Sequence, residues 1–507
     1  MPQKGNKKKT KTIQVKNLIN GKWVAAKSRK TYKRENPAFA NQIVSIAPLS
    51  GKPEVDAAVK AAQKAFPAWS ETPAPKRAEI LFKAAELIEK NKSRLGDLVA
   101  NEMGKVKKEA YGDVQEAIDM GYYMAGEGRR MFGQTMPSEL PNKSIRTIRQ
   151  PVGIFALVTP WNFPTAIPCW KIFPALVYGN TVVFKPSKYT SACAYEIVKL
   201  FHQAGVPKGV LNLVTGSGEE AGDYLIKHPG IDGVAFTGSS NVGRIIGEHC
   251  GKNLKNHSLE MGGKNVIIVM DDADIDLAVD GAVWAAFGTT GQRCTASSRI
   301  IVHQKVYKQF RDKFLKAVKK LKLGYALDPK TDMGPLINED AVKKTEHYME
   351  VAQKHDKAKL LCGGKRPSDP KLKNGYYFLP TVFEEVTPKM RIFCEEIFGP
   401  VTAITKAKDF NQAIEYANNI EYGLSASIFT TNINYAEKAA EKLETGLVYI
   451  NTSTIGAEIQ TPFGGLKNTG NGHRDAGGDG GAIETYTEMK VISVDYSGSI
   501  QKAQGIE

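Results

Sequence analysis

At 507 residues the chain is too long for one hydrophobic core and is expected to divide into two or three domains. A hydrophobic fraction of 42% with 24% charged residues is ordinary for a globular protein, and the longest apolar runs, such as Asn265 to Met270, are far too short to span a bilayer. The net charge of +16 is spread along the chain without a nucleic-acid motif, so it reads as a lysine-rich solvated surface, and neither nucleic acid nor membrane is an expected partner.

Residues 1–16 read as a disordered basic tail with no apolar core for a secretion signal, which makes the cytoplasm the expected location. Leu18 to Val24 reads as a hairpin turning on Asn20-Gly21. Val55, Ala58, Val59, Ala62 and Phe66 recur at helical spacing, and Ala74 to Lys90 and Ser93 to Gly104 continue a helical region to about Phe132. Ile145 to Thr159 is β-branched and alternating. Strands then alternate with helices: Asn180 to Lys185, Ser191 to Gln203, Val210 to Val214, Glu219 to Lys227, Gly233 to Phe236, Asn241 to Gly251. That rhythm predicts a doubly wound parallel sheet, which binds ligands at the carboxyl ends of its strands. A second α/β unit begins near Asn265, with later strands at Arg299 to Val302, Pro400 to Thr405, Ser425 to Phe429 and Gly446 to Ile450. The glycine-rich run from Gly464 to Gly481 reads as a loop before a closing strand, Glu488 to Val494.

Six scattered cysteines without a C-x-x-C pair, and no histidine cluster at ligand spacing, argue against a disulfide scaffold and against any metal site. One of them, Cys294, follows Arg293 in a turn of small residues, where positive charge and backbone N–H groups would lower a thiol pKa for nucleophilic work. Glu260, beside Gly262 and Gly263, is placed to act as a general base for water, or is an ordinary exposed glutamate. Phe236 to Gly243 runs from a strand through a glycine turn into a helix, whose N-terminus suits phosphate; Gly-Ser turns of this kind are also common without a ligand. Lys185 ends a strand, where it either hydrogen-bonds a ribose or is simply solvated.

The order and spacing of six motifs carry more than any one of them. Pro160-Trp161-Asn162-Phe163-Pro164, Phe236-Thr237-Gly238-Ser239, Glu260-Met261-Gly262-Gly263-Lys264, Gly291-Gln292-Arg293-Cys294, Glu395-Glu396-Ile397-Phe398-Gly399-Pro400 and Pro462-Phe463-Gly464-Gly465 together resemble the aldehyde dehydrogenase superfamily, over about Asn20 to Val494. The resemblance implies an α/β fold of two doubly wound domains with a small β oligomerisation extension. Residues 17–132 and 151–262 would form the dinucleotide-binding domain, 263–465 the catalytic domain, and 133–150 with 483–499 the extension of a homodimer or homotetramer.

The same resemblance implies that Cys294 attacks the aldehyde, that the Asn162 amide and the Cys294 N–H hold the oxyanion, that Glu260 activates water, and that Lys171 relays protons. Trp161, Phe236, Gly238, Ser239 and Gly243 would lie along the cofactor, with Lys185 and Ser187 at the adenosine ribose and Glu396 and Phe398 at the nicotinamide. Phe163, Trp170 and Phe463 would wall the substrate tunnel. Glu260 favours hydrolysis to a free acid; coenzyme A dependence would mark an acylating or reducing enzyme instead, and a salt-sensitive gel shift without turnover a binding protein. Lys188 stands where many relatives have a ribose-binding glutamate, so NADP is expected to be accepted and preferred, with NAD possible. Relatives acting on carboxylated semialdehydes often have arginine before the nucleophile, so Arg293 points to a carboxylated semialdehyde such as succinic semialdehyde, with the glutaric, aminoadipic and 2-oxoglutaric ones as alternatives. No chemistry is assigned to His473-Arg474-Asp475.

Overall fold

The computed structural model describes residues 12–504. Two seven-stranded sheets carry the fold. In the first, Asn256–Glu260, Gly233–Thr237, Ile154–Val158, Thr181–Lys185 and Leu211–Leu213 lie side by side and parallel. The hairpin of Asn17–Ile19 and Lys22–Val24 closes one edge antiparallel, turning through Asn20 and Gly21 at φ 49° and 73°. The second sheet runs in the order Lys359–Cys362, Thr381–Glu384, Val401–Ala407, Ser297–His303, Asn265–Val269, Ser425–Phe429, Leu447–Ile450. It is parallel except at its first edge pair.

Helices cover both faces of each sheet, which is why the central strands read as unbroken apolar runs. Phe155 and Leu157 enter one core while Ile154 and Ala156 enter another on the opposite face. In the second sheet Val266 and Ile268 face one core, Ile267 and Val269 the other. The helix Lys52–Glu71 buries Val55, Ala58, Val59 and Ala62, as its spacing predicts. Its start is fixed by Glu54, whose carboxylate accepts from the N–H groups of Gly51 (2.9 Å) and Lys27 (2.8 Å).

A third, small sheet stands apart: Thr135–Met136, Lys143–Pro151 and Thr487–Asp495, antiparallel, with Thr487 opposite Pro151 and Asp495 opposite Lys143. It begins later than the sequence suggests. Ile483–Tyr486 is a helical turn, and Tyr486 is fully buried with its ring 4.7 Å from that of Phe155, so these residues belong to the main body.

The expected tail also needs correction. Residues 1–11 lie outside the described part, but Ile13–Gln14 is a strand parallel to Ser45–Ile46, and the Val15 N–H donates to Ile46 O at 2.9 Å. Val15 is buried, and its apolar contact holds the segment down against the lysines around it. Besides the edge strands Lys359–Cys362 and Thr381–Glu384, two further features gave no sequence signal. One is the Thr31–Asn36/Phe39–Pro48 hairpin; the other is Asn256–Glu260, in which Leu259 is the only large apolar residue.

Candidate active site

Motifs from both sheets meet at one place, but from opposite strand ends. The first sheet contributes carboxyl ends: Trp161 and Asn162 follow Ile154–Val158, Gly238 and Ser239 follow Gly233–Thr237, and Glu260 closes Asn256–Glu260. The second contributes amino ends, with Cys294 before Ser297–His303, and Glu396 and Phe398 before Val401–Ala407. The carboxyl-end expectation therefore holds for the first sheet alone, because the second turns its strand starts toward it.

The nucleophile turn is strained and heavily held. Thr289 and Thr290 sit in the left-handed region at φ 52° and 59°, which is costly for β-branched residues. Thr289 Oγ1 donates to Glu109 (2.6 Å), Thr290 Oγ1 donates to Gly334 O (3.0 Å), and Gln292 accepts the Ile337 N–H (2.9 Å). At Gly291 (φ 70°) any Cβ would lie 2.2 Å from the Gly399 carbonyl oxygen, so only glycine lets the turn pack there. Asn265 Nδ2 donates to the carbonyls of Cys294 (2.6 Å) and Ala296 (2.9 Å), while its Oδ1 accepts the Ser425 N–H (3.0 Å). The thiol is thus indexed to two neighbouring strands, through an asparagine that sequence reading overlooked.

Two cavities share Cys294, together with Ile167, Thr237 and Met261. The first is lined by Phe163, Trp170 and Phe463, with the Trp170 and Phe463 rings edge-on at 5.3 Å, and by Lys171, Glu260, Arg293 and Asp475. The second holds Trp161, Asn162, Gly238, Ser239, Glu396 and Phe398. It shares Trp161, Gly238 and Ser239 with a longer groove that carries Phe236, Lys185, Ser187 and Lys188. Gly243 lines none of these. A Cβ there would meet Met261 Sδ at 2.2 Å, so this glycine serves helix-to-strand packing.

The second cavity and groove fit a dinucleotide. No side chain caps the Ser240–Lys252 helix, which leaves its first N–H groups open toward the groove for phosphate. The buried Lys185 ammonium is bonded to the carbonyl of Pro186 (2.7 Å), and burial together with Lys188 lowers its pKa to about 8. The buried Asn162 amide oxygen has no hydrogen-bond partner among the described residues, so this amide is not committed to the protein. Glu396 accepts the Gly263 N–H at 3.0 Å, and Lys344, unnoticed in the sequence, stands beside it in the same cavity.

The electrostatics reverse one expectation. Arg293 and the Thr295 N–H do favour the Cys294 thiolate, but burial, Glu260 and Glu396 outweigh them and push the thiol up to about 12. Glu260 is itself held well above the usual carboxyl range, first by burial and then by Asp475, with Lys171 and Arg474 opposing. Lys171 and Asp475 form a buried ion pair. The His-Arg-Asp segment thereby returns to the site from a loop whose glycines hid it: Asp475 is only 3% exposed.

A cysteine stands where two cavities meet between two doubly wound sheets, with the Glu260 carboxyl group in one cavity and a groove that suits a dinucleotide running from the other. The comparisons supply the class. The profile of the aldehyde dehydrogenase family matches residues 23–492, and the chain belongs to that family. It is 41% identical to an alpha-ketoglutaric semialdehyde dehydrogenase of Bacillus subtilis, over 94% of this chain and 97% of that protein. It is 39% identical to a D-glyceraldehyde dehydrogenase (NADP(+)) of Picrophilus torridus, over 95% and 97%. A solved betaine aldehyde dehydrogenase from Staphylococcus aureus in complex with NAD+ superposes with a TM-score of 0.93 at 34% identity, covering 97% of each chain. The chain is therefore an aldehyde dehydrogenase using a nicotinamide dinucleotide. Among the described residues no helix is long and apolar enough to cross a membrane.

Proposed function

We propose that the enzyme oxidises a carboxylated semialdehyde to the dicarboxylic acid, and that NADP is its preferred cofactor. The observation that carries the substrate class is Arg293, which lines the aldehyde cavity next to Cys294. One flank of its guanidinium is committed: Nε donates to Thr289 Oγ1 (2.8 Å), and Glu109 lies 3.7 Å away. The group also lies over the Phe163 ring, 5.0 Å from its centroid, among the cavity's aromatic walls. A semialdehyde dehydrogenase among the relatives supports the same class.

In this reading the Cys294 thiol gives its proton to water in the cavity, its thiolate Sγ attacks the aldehyde carbon, and the new oxyanion is held by the Asn162 amide and the Cys294 N–H. The dinucleotide, when bound, supplies the hydride acceptor, with Lys185, Ser187 and Lys188 at its adenosine end and Glu396 and Phe398 at its nicotinamide end. Loss of hydride leaves an acyl thioester on Cys294. Glu260 then takes a proton from water, whose oxygen bonds to the acyl carbon as the C–S bond breaks, releasing the acid and the Cys294 thiolate. Lys171, paired with Asp475, offers Glu260 a route for that proton.

Arg293→Ala is expected to lower kcat/KM for succinic semialdehyde at least about tenfold more than for butanal, because a charge-assisted pair of roughly 1.5–3 kcal/mol is lost only with the acidic substrate. Equal losses on both would overturn the substrate reading. The arginine also braces the nucleophile turn, so the ratio and not the absolute rate is the readout.

The NADP preference rests on Lys188, exposed at the adenosine groove beside the buried Lys185. Lys188→Glu is expected to raise KM for NADP tenfold or more while changing KM for NAD by less than about threefold. The same change with both cofactors would sink the argument. We also propose a cytoplasmic homodimer or homotetramer. The extension sheet leaves Ile148, Met489, Val491 and Val494 exposed, and Thr487–Asp495 is its unpaired edge.

A further inference from the structure

The aldehyde cavity ends in charges that the thioester chemistry does not use. Glu116, on the helix Lys107–Glu127, lines the cavity together with Arg293, Phe163 and Trp170. Behind it Lys105 and Asp113, both fully buried, pair at 3.2 Å, with Lys105 Nζ 3.4 Å from the centre of the Phe163 ring. Asp113 also accepts from the Thr165 hydroxyl (2.6 Å) and the Ala166 N–H (2.7 Å). Arg293 has Glu109 as its acid. Glu116 is the third carboxyl group of this cluster, and among the described residues it has neither a hydrogen bond nor an ion pair.

Three acids, Glu109, Asp113 and Glu116, therefore meet two bases, Lys105 and Arg293. Asp119 on the same helix adds to the negative side. Across the cavity Lys171 is already paired with Asp475 beside Glu260, and supplies no free cation. The far carboxylate of a bound semialdehyde would tip the balance further. The unpaired carboxyl group then keeps its proton, and a protonated carboxyl is a hydrogen-bond donor.

We propose that Glu116 reads the carbon next to the substrate's far carboxylate, donating its proton to a 2-oxo oxygen there while Arg293 pairs with the carboxylate. The preferred substrate is then the ω-semialdehyde of a 2-oxo dicarboxylic acid, rather than its unsubstituted homologue. This rests on the carboxylated-semialdehyde reading above. Burial and Asp113 raise the Glu116 carboxyl to about 7, in keeping with a donor at neutral pH.

The test compares kcat/KM for 2-oxoglutaric and glutaric semialdehyde, which differ only in the oxo group, in the wild type, Glu116→Leu and Glu116→Gln. The wild type is expected to favour the oxo substrate at least tenfold, since a site built around a donor discriminates against a ligand that cannot use it. Glu116→Leu should bring the ratio to about one. Glu116→Gln keeps an N–H donor and should restore most of the preference. The wild-type ratio should fall as pH rises through about 7, while that of the glutamine variant stays flat. A leucine variant that keeps the wild-type ratio, including one equally impaired on both substrates, would overturn the proposal. Failure of the underlying reading looks different: pentanal would be oxidised as efficiently as glutaric semialdehyde, and the oxo ratio would still decide the role of Glu116.

Discussion

Replacing Cys294 with alanine is expected to cut aldehyde oxidation by roughly 10,000-fold or more, measured as reduced-nicotinamide formation at saturating substrate. No other thiol can stand in. Cys169 and Cys193 are fully buried with their pKa values driven far up, and Cys250, Cys362 and Cys394 line neither of the cavities that meet at Cys294. Residual oxidation within tenfold of wild type would end the covalent mechanism. A variant that had merely unfolded would be exposed by its circular dichroism melting curve. The high thiol pKa adds a second reading of the same residue. In the free enzyme the rate of alkylation by iodoacetamide should climb with pH far into the alkaline range, because burial and two carboxyl groups hold the proton on sulfur.

Glu260→Gln should separate the two halves of the reaction. Thioester formation needs no base at this position, so a burst of one reduced nicotinamide per active site is expected to survive. Steady-state turnover should fall about 100- to 10,000-fold, since water attack loses its proton acceptor. Hydroxylamine, which attacks thioesters without help, should restore part of the turnover. Loss of burst and turnover together would assign Glu260 to structure instead. The sign of the pH effect follows from its surroundings. Burial and Asp475 raise the Glu260 carboxyl, so hydrolysis should accelerate as pH rises, and Asp475→Asn should move that rise to lower pH.

The parts of this molecule that were legible in the sequence are those where local chemistry and tertiary role agree. Buried parallel strands such as Asn265–Val269 announce themselves as apolar runs, and Asn20-Gly21 announces its turn. The strand Asn256–Glu260 does not, because its Asn256 and His257 are only half-buried at a sheet edge, and its pairing comes from Gly233–Thr237 beside it. The residues along Cys294, Glu260 and Asn162 were found through motif order. Asp475 and Glu116 were not, since each reaches the site from an element with no motif around it, a glycine-rich loop and a helix over 170 residues upstream of the thiol; Asn265 follows the Glu260 to Lys264 motif directly, but its bonds to the Cys294 and Ala296 carbonyls exist only after folding. The thiol pKa was misjudged for a related reason. Arginine next to cysteine is visible in sequence, whereas the burial and the opposing carboxyl groups exist only after folding.

The packing of Gly243 on Met261 has a practical corollary for anyone mapping this enzyme by mutation. Met261 borders the aldehyde cavity on one side and the dinucleotide cavity on the other. Its thioether occupies the space an alanine at position 243 would need. A single methyl group added on a surface helix would therefore push a shared wall, and would raise the apparent KM of two chemically unrelated ligands at once. In a functional screen part of the loss at Gly243 would come from this displaced wall, and a compensating smaller residue at position 261 would recover that part.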